Sequence, residues 1–162
     1  MPASASSPRV RVAPAPGGRG LFTAVAVPEG GTVLVLDGVI RSKPDRYSIQ
    51  VDVASHLHPR PEALAEGEAS EAPWWFLNHS CRPTVRIEGL RVVAVRDLAA
   101  GEQLRFDYDS TEWSLADPFR CGCGHCGGRT VGGYARLGDE ERARIAAIVA
   151  PHLRRLAGHG HA

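Results

Sequence analysis

Three of the four cysteines fall within six residues, Cys121-Gly122-Cys123-Gly124-His125-Cys126, and this cluster restricts the fold more than any other feature of the chain. A glycine-rich loop of this kind can turn three thiolates toward one point, as a tetrahedral metal site requires. A fourth ligand must come from elsewhere. Cys81 is the only other cysteine, so a closed four-cysteine zinc site consumes all of them and fastens the C-terminal loop to the middle of the chain; His125 is the alternative fourth ligand. The rival reading is redox, because Cys123-Gly124-His125-Cys126 has the Cys-x-x-Cys form of disulfide isomerases. Such a motif opens a helix, whereas here Gly127-Gly128-Arg129-Thr130-Val131-Gly132-Gly133 follows, and that run does not support one. Zinc is therefore the expectation. The N-terminus lacks the basic start and apolar stretch of a secretory signal, so the expectation is a reducing, cytoplasmic compartment, where cysteines serve as ligands before they pair.

A chain of 162 residues suffices for one domain that buries roughly 70% of its unfolded surface. No apolar run reaches the ~20 residues of a membrane span, and a net charge of +1 without like-charged blocks argues against direct nucleic-acid binding. Lys43 is the sole lysine, and the Ala- and Arg-rich composition suggests a GC-rich, bacterial genome. Residues 1–8 read as a disordered leader. Strand-like runs follow at 9–12, 21–27, 32–36, 47–53, 85–87, 91–95 and 103–108, broken by Gly and Pro turns. Residues 63–69 have room for one or two helical turns. Only Asp139–Leu156 has a sustained helical pattern, with Asp139 as N-cap and Pro151 ending or kinking it. The domain is mainly β, with a C-terminal helix.

Asn78-His79-Ser80-Cys81 follows the apolar run Trp74-Trp75-Phe76-Leu77, so its polar side chains either emerge into a cleft or form a hydrogen-bonded core pair. Gly17-Gly18-Arg19-Gly20 is either an ordinary turn or a place where backbone approaches a ligand closely. Gly101-Glu102-Gln103-Leu104-Arg105-Phe106-Asp107-Tyr108 reads in isolation as a turn and a strand with two aromatics on one face.

Taken in order, Gly-Arg-Gly-Leu-Phe at 18–22, Asn-His-Ser-Cys-x-Pro at 78–83, Gly-Glu-x-Leu-x-Phe-Asp-Tyr at 101–108 and the Cys-x-Cys loop at 121–126 resemble the SET-domain protein-lysine methyltransferases with a post-SET cysteine tail. The resemblance covers about residues 9–137. It implies several small β-sheets with a knot-like crossing, an exception to the rule against threaded chains, divided as SET domain 9–112, post-SET zinc loop 117–137, C-terminal helix 138–157 and flexible tail 158–162. It also implies S-adenosylmethionine as methyl donor, held by Gly18, Arg19, Gly20, Asn78 and His79. Tyr108 takes the place of the catalytic tyrosine, Tyr47 that of a second channel tyrosine, and Phe106 that of a residue associated with multiple methylation. Cys81 takes the place of the cysteine that joins Cys121, Cys123 and Cys126 at zinc.

The chain departs from the family pattern at several points. Thr84 stands where a second asparagine is usual and Trp75 where arginine is common. The cysteine loop is two residues shorter before Cys126, and residues 54–73, the family's substrate-selecting insert, are short. The implied reaction is methyl transfer to a lysine of a protein partner. The alternatives are transfer to a small amine or other metabolite, and a non-catalytic binding module.

Overall fold

The computed structural model describes residues 9–65 and 72–159; the expected leader 1–8, most of the helical segment 63–69 and the last tail residues lie outside them. Among the described residues the strands are short: β1 (Val10–Ala15), β2 (Gly18–Thr23), β3 (Thr32–Val35), β4 (Val39–Arg41), β5 (Ile49–Asp52), β6 (Ser55–His58), β7 (Asn78–His79), β8 (Val85–Glu88), β9 (Arg91–Ala94), β10 (Gln103–Phe106), β11 (Phe119–Arg120) and β12 (Thr130–Val131). The helices are α1 (Pro61–Ala65), α2 (Asp139–Arg144) and α3 (Pro151–His159), with 3₁₀ turns at Pro73–Phe76, Tyr108–Ser110 and Tyr134–Arg136. The strands form small sheets in the orders β1-β2-β10-β7, β3-β9-β8, β4-β6-β5 and β11-β12.

The β1–β2 hairpin runs in register from Val10↔Thr23 to Ala15↔Gly18. Its turn uses Gly17 and Gly18 at φ of 83° and 148°, backbone that side-chain-bearing residues rarely adopt. β10 lies antiparallel to β2 and parallel to β7, pairing Arg105 with Asn78 and Phe106 with His79. This pairing brings the 78–84 and 101–108 motifs side by side, where the resemblance sets the knot-like crossing. Thr84, in place of asparagine, secures the contact: its Oγ1 donates to the Gln103 carbonyl at 2.9 Å and accepts from Arg105 N–H at 2.9 Å.

Leu21, Val33, Leu36, Val85, Val92, Leu104 and Phe106 form the main core beneath the sheets, and burying each contributes on the order of 1.5–3 kcal/mol. A second cluster joins Cys81, Cys121 and Val131 to Leu115, Phe119 and Tyr108, and a third packs Ile145, Val149 and Leu153 against Trp113 and Tyr134. Among the described residues no helix is long and apolar enough to cross a membrane.

Several elements differ from the sequence expectations. The 21–27 run stops at Thr23, and Val27 makes only an isolated bridge to Leu98. β4 and β6 were not expected, because their three- and four-residue lengths leave almost no periodicity to detect. The expected C-terminal helix is two helices separated by turns, with Gly138 rather than Asp139 at the first N-cap. Pro151 opens α3 instead of ending a helix, since its missing N–H costs nothing at a first position.

Candidate active site

β10 ends at Phe106 because Asp107 turns the chain. Its carboxylate accepts from Asp109 N–H at 3.0 Å and caps the 3₁₀ turn that begins with Tyr108. The Tyr108 hydroxyl donates to the Leu77 carbonyl at 2.6 Å, and its backbone N–H donates to His79 Nδ1 at 3.1 Å. Nδ1 as acceptor puts the ring proton on Nε2, which lies 3.4 Å from Cys81 Sγ. Burial holds the His79 pKa down to about 4, outweighing the upward pull of Asp109, so the ring is neutral and its 3.9 Å approach to Asp107 is no ion pair. Both ring nitrogens are thus engaged within the protein. A ligand on this side meets the backbone of His79, not its imidazole.

Tyr108 and Phe106, with ring centroids 4.7 Å apart, border a narrow cavity of about 50 Å³. Trp74, Trp75, Leu77 and Ile49 supply apolar walls, and Tyr47 stands against Trp75 at 4.7 Å between centroids. Tyr47, about half exposed, marks the mouth; the Asp45 carboxylate holds its backbone by accepting from Tyr47 and Ser48 N–H. Trp75 Nε1 is buried without a partner among the described residues. Burial first, and the Glu112 carboxylate second, push the Tyr108 pKa well above the ordinary phenol value. Near neutrality Tyr108 is a hydrogen-bond donor and not a base. The structure therefore brings Tyr47, Phe106 and Tyr108 to one cavity and adds Glu112, which sequence reasoning missed; the available signal was an acid four residues beyond Tyr108.

The expected cofactor residues flank β10, Gly18, Arg19 and Gly20 on β2 and Asn78 and His79 on β7. Asn78 Nδ2 donates to the Arg19 carbonyl at 2.9 Å and to Gln103 Oε1 at 3.2 Å, tying β7 to β2. No donor among the described residues reaches Asn78 Oδ1. Gly18 is exposed at the hairpin end, whereas Gly20 is buried and a Cβ there would come within 2.8 Å of Gln103 Oε1. The exposed Gly18 backbone, the Asn78 amide oxygen and the Phe119 ring, 5.7 Å from His79 and 5.9 Å from Tyr108, are groups of the kinds that S-adenosylmethionine would need.

The Sγ atoms of Cys81, Cys121, Cys123 and Cys126 all lie within 4.8 Å of one another, with Cys81–Cys121 at 3.7 Å and Cys123–Cys126 at 3.9 Å. A tetrahedral ion with metal–sulfur bonds of about 2.3 Å needs sulfur–sulfur edges of about 3.8 Å, so this set could hold zinc. His125 is exposed and outside the cluster. Burial raises the Cys81 pKa, and raises that of Cys121 to about 11. N–H groups and neighbouring thiols lower Cys123 to about 6 against its desolvation, and lower Cys126 likewise. Arg129 Nε donates to Cys81 Sγ at 3.2 Å, placing positive charge beside that buried thiol.

A phenol fixed over an aromatic cavity, the parallel pairing of β7 with β10, and a cysteine cluster packed beside them point to one class of fold. The chain belongs to the SET domain family, whose model matches residues 18–109, more than half of the chain. Similar proteins include Methyltransferase flvH of Aspergillus flavus, 42% identical over 53 residues, covering 30% of this chain and 30% of that protein. The H3 lysine-9 specific histone-lysine N-methyltransferase KMT1 of Fusarium mangiferae is 31% identical over 88 residues, 43% of this chain and 26% of that protein. An H3 lysine-4 specific histone-lysine N-methyltransferase of Schizosaccharomyces pombe is 38% identical over 61 residues, 33% of this chain and 7% of that protein. The matches thus span 30% or less of the length of these relatives.

Proposed function

We propose that the protein is a methyltransferase that uses S-adenosylmethionine to methylate the amine of a lysine side chain in a protein. The observation that carries this reading is the Tyr108 hydroxyl, anchored on the Leu77 carbonyl at the wall of an aromatic-lined cavity of about 50 Å³. S-adenosylmethionine supplies an electrophilic methyl group on a sulfonium. Backbone at Gly18, Arg19, Gly20 and His79, with Asn78 Oδ1, would hold it. Phe106 and Trp75 desolvate the arriving amine, which favours its neutral form, and Tyr108 orients it, so that much of the rate comes from alignment. A small-amine substrate is the second reading, favoured by the half-exposed Tyr47 mouth and by the name of flvH, which specifies no protein substrate.

Incubation with methyl-labelled S-adenosylmethionine and cell lysate separates the readings. Label in protein is the expected result. Label in small molecules alone supports the second reading, and no label at all rejects methyl transfer in favour of a binding module.

Zinc at the four cysteines would close the site by holding Cys121, Val131 and Phe119 against Tyr108. Purified protein is expected to carry about one zinc per chain. Its removal by a strong chelator should lower the melting temperature by on the order of 10 °C, corresponding to a few kcal/mol. A metal-free protein whose melting curve ignores the chelator would exclude a structural metal.

A further inference from the structure

Glu112 is a buried carboxylate, 5% exposed, on the same cavity as Tyr108 and Phe106. Its N–H donates to the Tyr108 carbonyl at 3.0 Å, one turn along the chain, which sets the two side chains on one side. Oε2 accepts from Gln50 N–H at 2.8 Å and from Thr111 Oγ1 at 2.7 Å. Among the described residues no donor reaches Oε1, and no cation pairs with the carboxylate. An ionised carboxylate left unpaired in an apolar cavity is costly. Gln50 N–H and the Thr111 hydroxyl account for Oε2 alone, and Oε1 is left on the cavity among Ile49, Leu77, Trp75 and Phe106.

We propose that Glu112 is the amine-receiving residue of this channel. Its carboxylate pairs with the ammonium head of the substrate and takes one proton from it, selecting alkyl ammonium groups over neutral nucleophiles such as hydroxyls. The assignment rests on the methyl-transfer reading, because it takes this cavity as the path of the methyl acceptor. In the proton step an N–H bond of the ammonium breaks and its electron pair stays on nitrogen as the lone pair needed for attack. The proton bonds to Oε1, giving a neutral carboxylic acid, and passes later to water at the mouth beside Tyr47. The rings of Tyr47, Trp75 and Tyr108 add faces that attract a cation.

The charged and titratable surroundings agree with this role. Arg46, at the mouth, is engaged by Asp117 at 3.4 Å. His56, opposite Gln50 across β5 and β6, and His152, whose Nε2 meets the Thr111 carbonyl at 2.7 Å, are both held below the ordinary imidazole pKa, chiefly by burial, and add no charge near neutrality. The Tyr108 phenol stays protonated. Burial pushes the Glu112 carboxyl up to about 7 against the opposing hydrogen bonds from Thr111 and Gln50, which is where a base working near neutrality should titrate.

The test is binding of n-butylammonium chloride, the head and stem of a lysine side chain, to the full chain by calorimetry. At pH 8 the wild type should bind it at least tenfold more tightly than Glu112→Gln. At pH 5.5, where Glu112 is protonated, the two should bind alike, and n-butanol should not distinguish them at either pH. Equal ammonium affinity at pH 8, or a parallel loss for n-butanol, would overturn the proposal. Should Glu112→Gln fail to fold, carbon-13 NMR of the wild-type carboxyl decides: saturating n-butylammonium should lower its titration midpoint by at least one pH unit, and an unmoved midpoint overturns the assignment. Neither readout involves methyl transfer, so rejection of Glu112 is distinguishable from rejection of the reaction in the labelling assay.

Discussion

Arg129→Met is expected to lower folding stability by about 3–5 kcal/mol, the scale seen when one partner of a buried ion pair is removed. Asp109 is fully buried and accepts from Arg129 Nη1 at 2.8 Å and from Gly133 N–H at 2.7 Å. Asp107, also fully buried, is held by Arg144 at 3.0 Å and by Arg129 at 3.7 Å. Without the guanidinium, Asp109 keeps its burial and loses its countercharge. The same side chain faces Cys81, so the cysteine loop should loosen with it. Urea denaturation of Arg129→Met, Asp109→Asn and the double variant gives the coupling, expected to exceed about 2 kcal/mol. A loss below about 1 kcal/mol in the single arginine variant would show that the network is not holding the loop.

Asp107 gives this network a further meaning. Burial raises its carboxyl pKa above the ordinary range even though Arg144 and Arg129 pull it down. The folded state therefore binds that proton more tightly than the unfolded chain, and ionised Asp107 costs stability as pH rises through its folded-state pKa. Its carboxylate also caps the turn that presents Tyr108.

The sequence showed most clearly what depends on residue type at fixed spacing. Phe106 and Tyr108 stand two apart and border one cavity, and four cysteines with none to spare converge on one point. The strand-like runs at 32–36, 85–87 and 91–95 became β3, β8 and β9, because short runs rich in β-branched and apolar residues between turn residues favour strands. Other features depend on partners distant in sequence. Nothing in Asn-His-Ser-Cys announces that His79 would be fully engaged by Tyr108 N–H and Cys81 Sγ. The apolar Trp74–Leu77 run opens as a 3₁₀ turn with Pro73 at its start, so its tryptophans line a cavity rather than a sheet face. Glu112 carried only its spacing from Tyr108 as a signal: a lone acid before a tryptophan looks like surface until β5 is packed over it and Gln50 N–H meets its carboxylate.

Tyr108→Phe is expected to reduce methyl transfer by roughly 10²–10³-fold, the effect of deleting one preorganised donor, while costing only about 1 kcal/mol of stability for the lost hydrogen bond. The ring contacts with Phe106, His79 and Phe119 need no hydroxyl, so the core and the S-adenosylmethionine side should persist. What is lost is the O–H that fixes the ring on the Leu77 carbonyl at 2.6 Å and that, in the proposed reaction, orients the amine. The pH profile separates orientation from proton removal. Because burial and the Glu112 charge raise the phenol's pKa, Tyr108 does not titrate near neutrality. Glu112 does, at about 7, and only its ionised form accepts a proton. Transfer by the wild type should therefore climb as pH rises through about 7 and then level off, and Tyr108→Phe should show the same climb at lower amplitude. A variant with reduced rate and no pH dependence would make Tyr108 the titrating base. A variant with undiminished transfer would remove Tyr108 from the reaction, and with it the reason for reading this cavity as the path of a methyl acceptor.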